Sequence, residues 1–136
     1  MTKSRIGIAV SALVMLFLAM DAAGKLFVPE MMIANSPPLG LPADPGFHRM
    51  LGMILAASTL LYAIPRTSVL GAVLLTAYLG GAVAIHARIG SPLVSHTFFG
   101  AYIGVLLWLG LWLRNPQLRA VLAGRPSLPR PQGDIS

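Results

Sequence analysis

Apolar residues run along this chain in long blocks, and the polar and proline-bearing segments between them are short. Four blocks meet or nearly meet the roughly 20 residues that cross the hydrocarbon layer of a bilayer. They run from Ile6 to about Phe27, from about Phe47 to Ile64, from Ser68 to Ala87, and from about Thr97 to Leu113. Lipid cannot hydrogen-bond an open backbone, so each block is expected as an α-helix and the fold as all-α. Pro65 ends the second block and Thr67 or Ser68 can cap the third, so "IPRTS" predicts a tight helical hairpin. "GSPLVS", residues 90–95, plays the same part between the third and fourth blocks.

The segment from Val28 to Gly46 holds Pro29, Pro37, Pro38, Pro42 and Pro45. It is expected as an irregular extracytoplasmic loop, with one short helix near "EMMIAN". After Leu113, "RNPQLRAVLAG" predicts a short basic interfacial helix. The organisation predicted is a four-transmembrane-helix bundle over residues 1–122, followed by a Pro-rich, basic, disordered tail over 123–136. Small residues four apart, Gly52 with Ala56, Gly80 with Ala84 and Gly100 with Gly104, suit close helix contacts in lipid.

Lys3 and Arg5 ahead of the first block resemble the start of a secretory signal. The block is long for one, and a cut after Ala23 would place Asp21 where a small neutral residue is needed. An uncleaved helix is therefore expected. Lysine and arginine placement sets the orientation. Lys3, Arg5, Arg66, Arg114, Arg119, Arg125 and Arg130 fall on one side, and Lys25, Arg49 and Arg88 on the other. The first group marks the cytoplasmic side, so the topology expected is N-in/C-in.

Composition agrees with a membrane protein. The chain of 136 residues is 56% hydrophobic and 10% charged, against about 25% charged in soluble domains. It has no cysteine, which removes disulfides, thiol chemistry and cysteine-held clusters. The net charge of +6 is spread beside apolar runs and no recognition motif accompanies it. The partner it implies is the lipid bilayer and not nucleic acid.

Candidate chemistry gathers at one end. Asp21 lies six residues before the outer end of its helix, about 9 Å inside it. Lys25 follows one turn later, in the favourable acid-before-base order. His48 and Arg49 open the second helix, His86 and Arg88 close the third, and His96 opens the fourth. Tyr78 lies two turns below His86. These eight residues form the candidate polar pocket at the extracytoplasmic side. Ionisable groups inside a span cost about 2.5–3.5 kcal/mol each at a helix centre, so Asp21 is expected to face the bundle interior. The alternatives are a buried pair that only fixes helix register and cations that only reach toward headgroups. No metal site is expected, since the histidines do not have ligand spacing.

The stretches "DAAGKLF", "YAIPRTSVLGAVLLTAYLGGAVAIHARIG" and "SPLVSHTFFGAYIGVLLWLGLWLRNPQLR" resemble the DoxX-like family of small bacterial membrane proteins. The resemblance covers most of residues 6 to 122 apart from the proline loop. It implies a four-helix integral protein of the bacterial inner membrane. The family takes its name from subunits of thiosulfate:quinone oxidoreductase, and some relatives are associated with membrane oxidoreductase assemblies. Asp21, Lys25, Tyr78, His86, Arg88 and His96 match positions typical of the family, without roles that the resemblance assigns.

Three functions of different classes are compatible with these residues. The first is a redox-associated membrane subunit whose polar layer binds a quinone or small anion. Histidine can exchange a proton with a quinone carbonyl, and electrons would come from a partner oxidoreductase subunit because the chain carries no cofactor signature of its own. The second is a non-catalytic scaffold that binds a partner protein. The third is a small transporter or channel-like element built around Asp21, for which a homo-oligomer could supply the path.

Overall fold

The computed structural model describes residues 2–35 and 39–125. The expectation for the tail therefore falls mostly outside the described residues, as do Pro37 and Pro38 of the loop. The described residues are all-helical. In chain order the elements are α1 (Thr2–Phe27), α2 (Pro29–Asn35), α3 (Pro45–Ala63), α4 (Ser68–Arg88), a π-helical turn (Leu93–Thr97), α5 (Phe99–Arg114) and α6 (Pro116–Leu122). α1 packs on α3 and α5, and α4 packs on the same two helices from the other side. α2 bridges α1 and α3, and α6 folds against α5.

Each long helix buries one narrow stripe. In α1 the stripe is Gly7, Ser11, Val14, Leu18 and Ala22, three or four residues apart, as one helix face requires. α3 contributes Gly52, Leu55, Thr59 and Tyr62, α4 contributes Ala72, Leu75 and Leu79, and α5 contributes Ile103, Leu107 and Leu111. Three segments are long and apolar enough to cross a membrane: Thr2–Phe27, Ser68–Arg88 and Leu93–Arg114, with 28% of each most apolar window buried. The remaining apolar surface, such as Leu13, Leu16, Val73 and Val105, faces outward. Apolar exposure on that scale calls for a lipid or protein cover. α3 is not among the three. Its first turn carries His48 and Arg49, so its apolar run begins only at Met50.

Local chemistry sets the helix ends. Asp44 caps α3 by accepting from Phe47 N at 2.8 Å, with Pro45 in the first turn. This start is two residues earlier than the apolar pattern alone predicts. Glycine at position 90, with φ of +69°, ends α4 and lets the chain turn back. Thr67 holds the N-cap position of α4 as expected, but its side chain makes no capping bond there. Its Oγ1 donates to Leu61 O at 2.8 Å, and Ser68 Oγ donates to Pro65 O at 3.0 Å. The Thr67 hydroxyl serves a carbonyl that α3 leaves open at its end, and the Ser68 hydroxyl serves one in the turn that follows.

The same helix end anchors a network that crosses the core. Tyr62 is fully buried, and its hydroxyl donates to Leu107 O at 2.7 Å. Its oxygen lies 3.1 Å from Ser11 Oγ, which is left as the donor. Arg114 Nη2 donates to Tyr62 O at 2.7 Å, and its guanidinium carbon sits 4.7 Å from the Tyr62 ring centre. Farther along, Trp108 Nε1 donates to Thr76 Oγ1 at 2.8 Å and joins α5 to α4.

Small residues admit these close approaches, though not all where their spacing suggests. A Cβ on Gly110 would stand 2.6 Å from Ser11 Oγ, and one on Gly7 would stand 2.7 Å from Arg114 N. A Cβ on Gly71 would overlap the Tyr62 backbone. Gly52 and Gly100 also pack closely, against Ala22 O and Leu79 O. Gly80 and Gly104 meet nothing within 4 Å, which corrects the expectation that they sit at helix contacts.

Two outcomes test this packing. Gly71→Ala should lower stability by about 1–3 kcal/mol through overpacking, whereas Gly80→Ala should be neutral or gain up to about 1 kcal/mol from helix propensity. Thermal unfolding of the two variants in detergent reads the contrast. Tyr62→Phe should cost about 1–2 kcal/mol, because Leu107 O and Ser11 Oγ lose their shared partner in a dry site. The same melting assay checks it.

Candidate functional site

Asp21 and Lys25 form an ion pair in the last turns of α1, with side chains 28% and 15% exposed. The i,i+4 spacing brings them together on one helix face. The Lys25 stem passes close to Gly52, where any added Cβ would stand 3.0 Å from Lys25 Cβ, so the pair sits beside α3. Tyr78 is partly buried on α4. α1, which carries Asp21 and Lys25, and α4, which carries Tyr78, do not pack directly on each other.

A second group forms around the α4–α5 connection. The His86 and His96 rings lie 6.2 Å apart, inclined at 51°. His86 Nδ1 is 3.2 Å from Ser91 Oγ, and His96 Nδ1 is 2.7 Å from Ser95 Oγ. The π-helical turn is what places His96. His96 N and Thr97 N both donate to Pro92 O at 3.1 Å, and Phe98 N donates to Leu93 O at 2.9 Å. Thr97 Oγ1 adds a bond to Ser91 O at 3.1 Å. Such turns alter which face a helix presents and recur at functional positions.

The remaining candidates hold connections in place. His48 is buried, and its Nδ1 lies 3.1 Å from Asp44 O. A carbonyl can only accept, so Nδ1 carries the proton and Nε2 is left as the acceptor in the neutral ring. Arg88 Nη2 donates to Leu39 O at 2.7 Å and ties the proline-rich connection to α4. Arg49 and Glu30 are exposed and 4.0 Å apart, a weak pair between α3 and α2. Among the described residues, no hydrogen bond or ion pair joins any of the three histidines to Asp21, Lys25 or Tyr78. No group of three or more His, Asp or Glu is placed to hold a metal ion among them either.

An open groove of about 440 Å³ runs between α1 and α3. Ala19, Ala22, Ala23, Leu26, Ala56 and Leu60 line it, and Thr59 is its only hydroxyl. That hydroxyl is turned away to Leu55 O at 2.8 Å. None of the eight candidate residues lines this groove. Sequence reasoning also missed the polar cluster at the opposite end, where Ser11, Tyr62 and Arg114 meet. Its members are 51 and 52 residues apart in the chain, and no local motif announces them.

No curated protein and no solved structure matches the chain. The sequence model of the DoxX-like family matches residues 9–110, from the second turn of α1 through most of α5. The apolar helices are those of a membrane protein, and the chain belongs to the DoxX-like family.

Proposed function

We propose that α1, α3, α4 and α5 each cross the bacterial inner membrane, with both termini in the cytoplasm. The 19 residues of α3 rise about 28 Å, close to the roughly 30 Å of hydrocarbon. Its packing between α1 and α4 supports a place inside the same layer. The basic residues at the α1 start, the α3–α4 turn and α6 fit the cytoplasmic side.

In this arrangement the non-cytoplasmic polar layer serves a redox assembly, and the protein is a membrane subunit that binds a quinone or a small anion. The observation that carries the reading is the Asp21–Lys25 ion pair inside α1, with its side chains mostly buried. Ionisable groups held at depth in a membrane helix are costly and mark sites of chemistry or transport. The His86–His96 pair adds two imidazoles able to pass protons at the rim. Electrons would be delivered by a partner subunit. The second reading is a scaffold, and one observation favours it: Asp21, Lys25, Arg88 and the three histidines already have internal partners. Asp21 holds Lys25, Arg88 holds Leu39 O, and the histidines hold Asp44 O, Ser91 and Ser95.

The chain has no cysteine, so single cysteines report topology directly. Ser95→Cys should react with an impermeant maleimide in intact spheroplasts, and Gln117→Cys only after lysis. The reverse pattern would overturn the orientation. For the function, Asp21→Asn and His86→Ala should each lower quinone-dependent electron transfer in membranes at least about tenfold, as loss of a proton-transfer group does, at unchanged protein level. Rate and abundance falling together would favour the scaffold.

A further inference from the structure

The fold sorts charge unevenly between its two ends. At the outer end Lys25, Arg49 and Arg88 are matched in number by Asp21, Glu30 and Asp44. At the opposite end lie Lys3, Arg5, Arg66, Arg114, Arg119 and Arg125, and no described carboxylate accompanies them. The whole net charge of +6 corresponds to this imbalance, since Arg130 and Asp134 offset each other. Contacts gather the six at one end. The α1 segment at Gly7 lies against Arg114 N and Leu113, and Arg114 reaches back to Tyr62 O before the turn that bears Arg66.

We propose that this basic end is a binding site for the phosphate headgroups of anionic phospholipids in the leaflet it adjoins. Arg114 is locked over Tyr62, and its buried Nε has no hydrogen-bond partner. It is a fixed cation with no carboxylate beside it among the described residues, and in this proposal the leaflet supplies the counter-charge. α6 then selects what kind of anion fits. Asn115 Oδ1 caps this helix by accepting from Leu118 N at 3.1 Å, and Leu118 packs on the core. Beyond it Val121 and Leu122 are 73% and 66% exposed, between Arg119 and Arg125. A bilayer leaflet covers such apolar side chains while its phosphates meet the flanking arginines. Free phosphate or an acidic nucleic acid would pair with the arginines and leave Val121 and Leu122 in water. This site is separate from the outer polar layer and stands whatever that layer binds.

The test uses the full chain in detergent, with bound lipids counted by native mass spectrometry as phosphatidylglycerol or phosphatidylcholine is added. Phosphatidylglycerol should bind more tightly. Each basic residue near a charged surface is worth about a fivefold change in affinity, so Arg119→Gln with Arg125→Gln should weaken binding about 25-fold. Arg49→Gln with Arg88→Gln, at the other end, should leave it within about twofold by the same reasoning. Arg66→Gln, in an exposed turn, should weaken it about fivefold and serves if the first pair unfolds. Equal binding of the two lipids overturns the proposal, and so does equal weakening by both arginine pairs. Displacement of the lipid by millimolar inorganic phosphate would show a free-anion site and overturn it as well.

Discussion

The last carbonyls of a helix have no partner within it, and the close of α3 shows how the chain meets that constraint. Leu60 O accepts from Ile64 N at 3.2 Å, Leu61 O from the Thr67 hydroxyl, and Tyr62 O from Arg114. Arg114 also brings positive charge to the negative end of the α3 dipole. The Tyr62 side chain then carries the arrangement inward, with its hydroxyl shared between α1 and α5. One helix end thus fixes the relative positions of four helices. Buried polar groups of this kind have few alternative arrangements, which favours one packing over others.

Dispersion and close contact must do the rest, because apolar burial gives helices no preference for each other over lipid. Among the helix glycines Gly7, Gly71 and Gly110 make the closest contacts, all at the same end as Tyr62, while Gly52 and Gly100 pack closely toward the other end. The opposite end is linked by Arg88 to Leu39 O and by Thr97 to Ser91 O. The core between them is filled by Leu18, Leu55, Leu75 and Leu107.

This difference bears on function. The Tyr62 end carries the excess of cations among the described residues. The opposite end holds ionisable side chains in separate small groups, Asp21 with Lys25, and His86 with His96. A ligand bridging those groups would have to enter between α1 and the α4–α5 connection. The π-helical turn is the element whose geometry governs that approach, since it sets where His96 points.

The amino-acid sequence alone determined the all-helical architecture, the four long helices to within a few residues, the short helices at Pro29–Asn35 and Pro116–Leu122, and the Asp21–Lys25 pair. These follow from block length, proline position and i,i+4 spacing, which are properties of neighbouring residues. Tertiary structure alone decided which glycines touch, why Thr67 serves α3 and not α4, and how Ser11, Tyr62 and Arg114 meet. A helix that is apolar all round gives no signal of which face meets protein and which meets lipid, because both surroundings are apolar. Its rotation is settled only when another helix, some 50 residues away in the chain, packs against it.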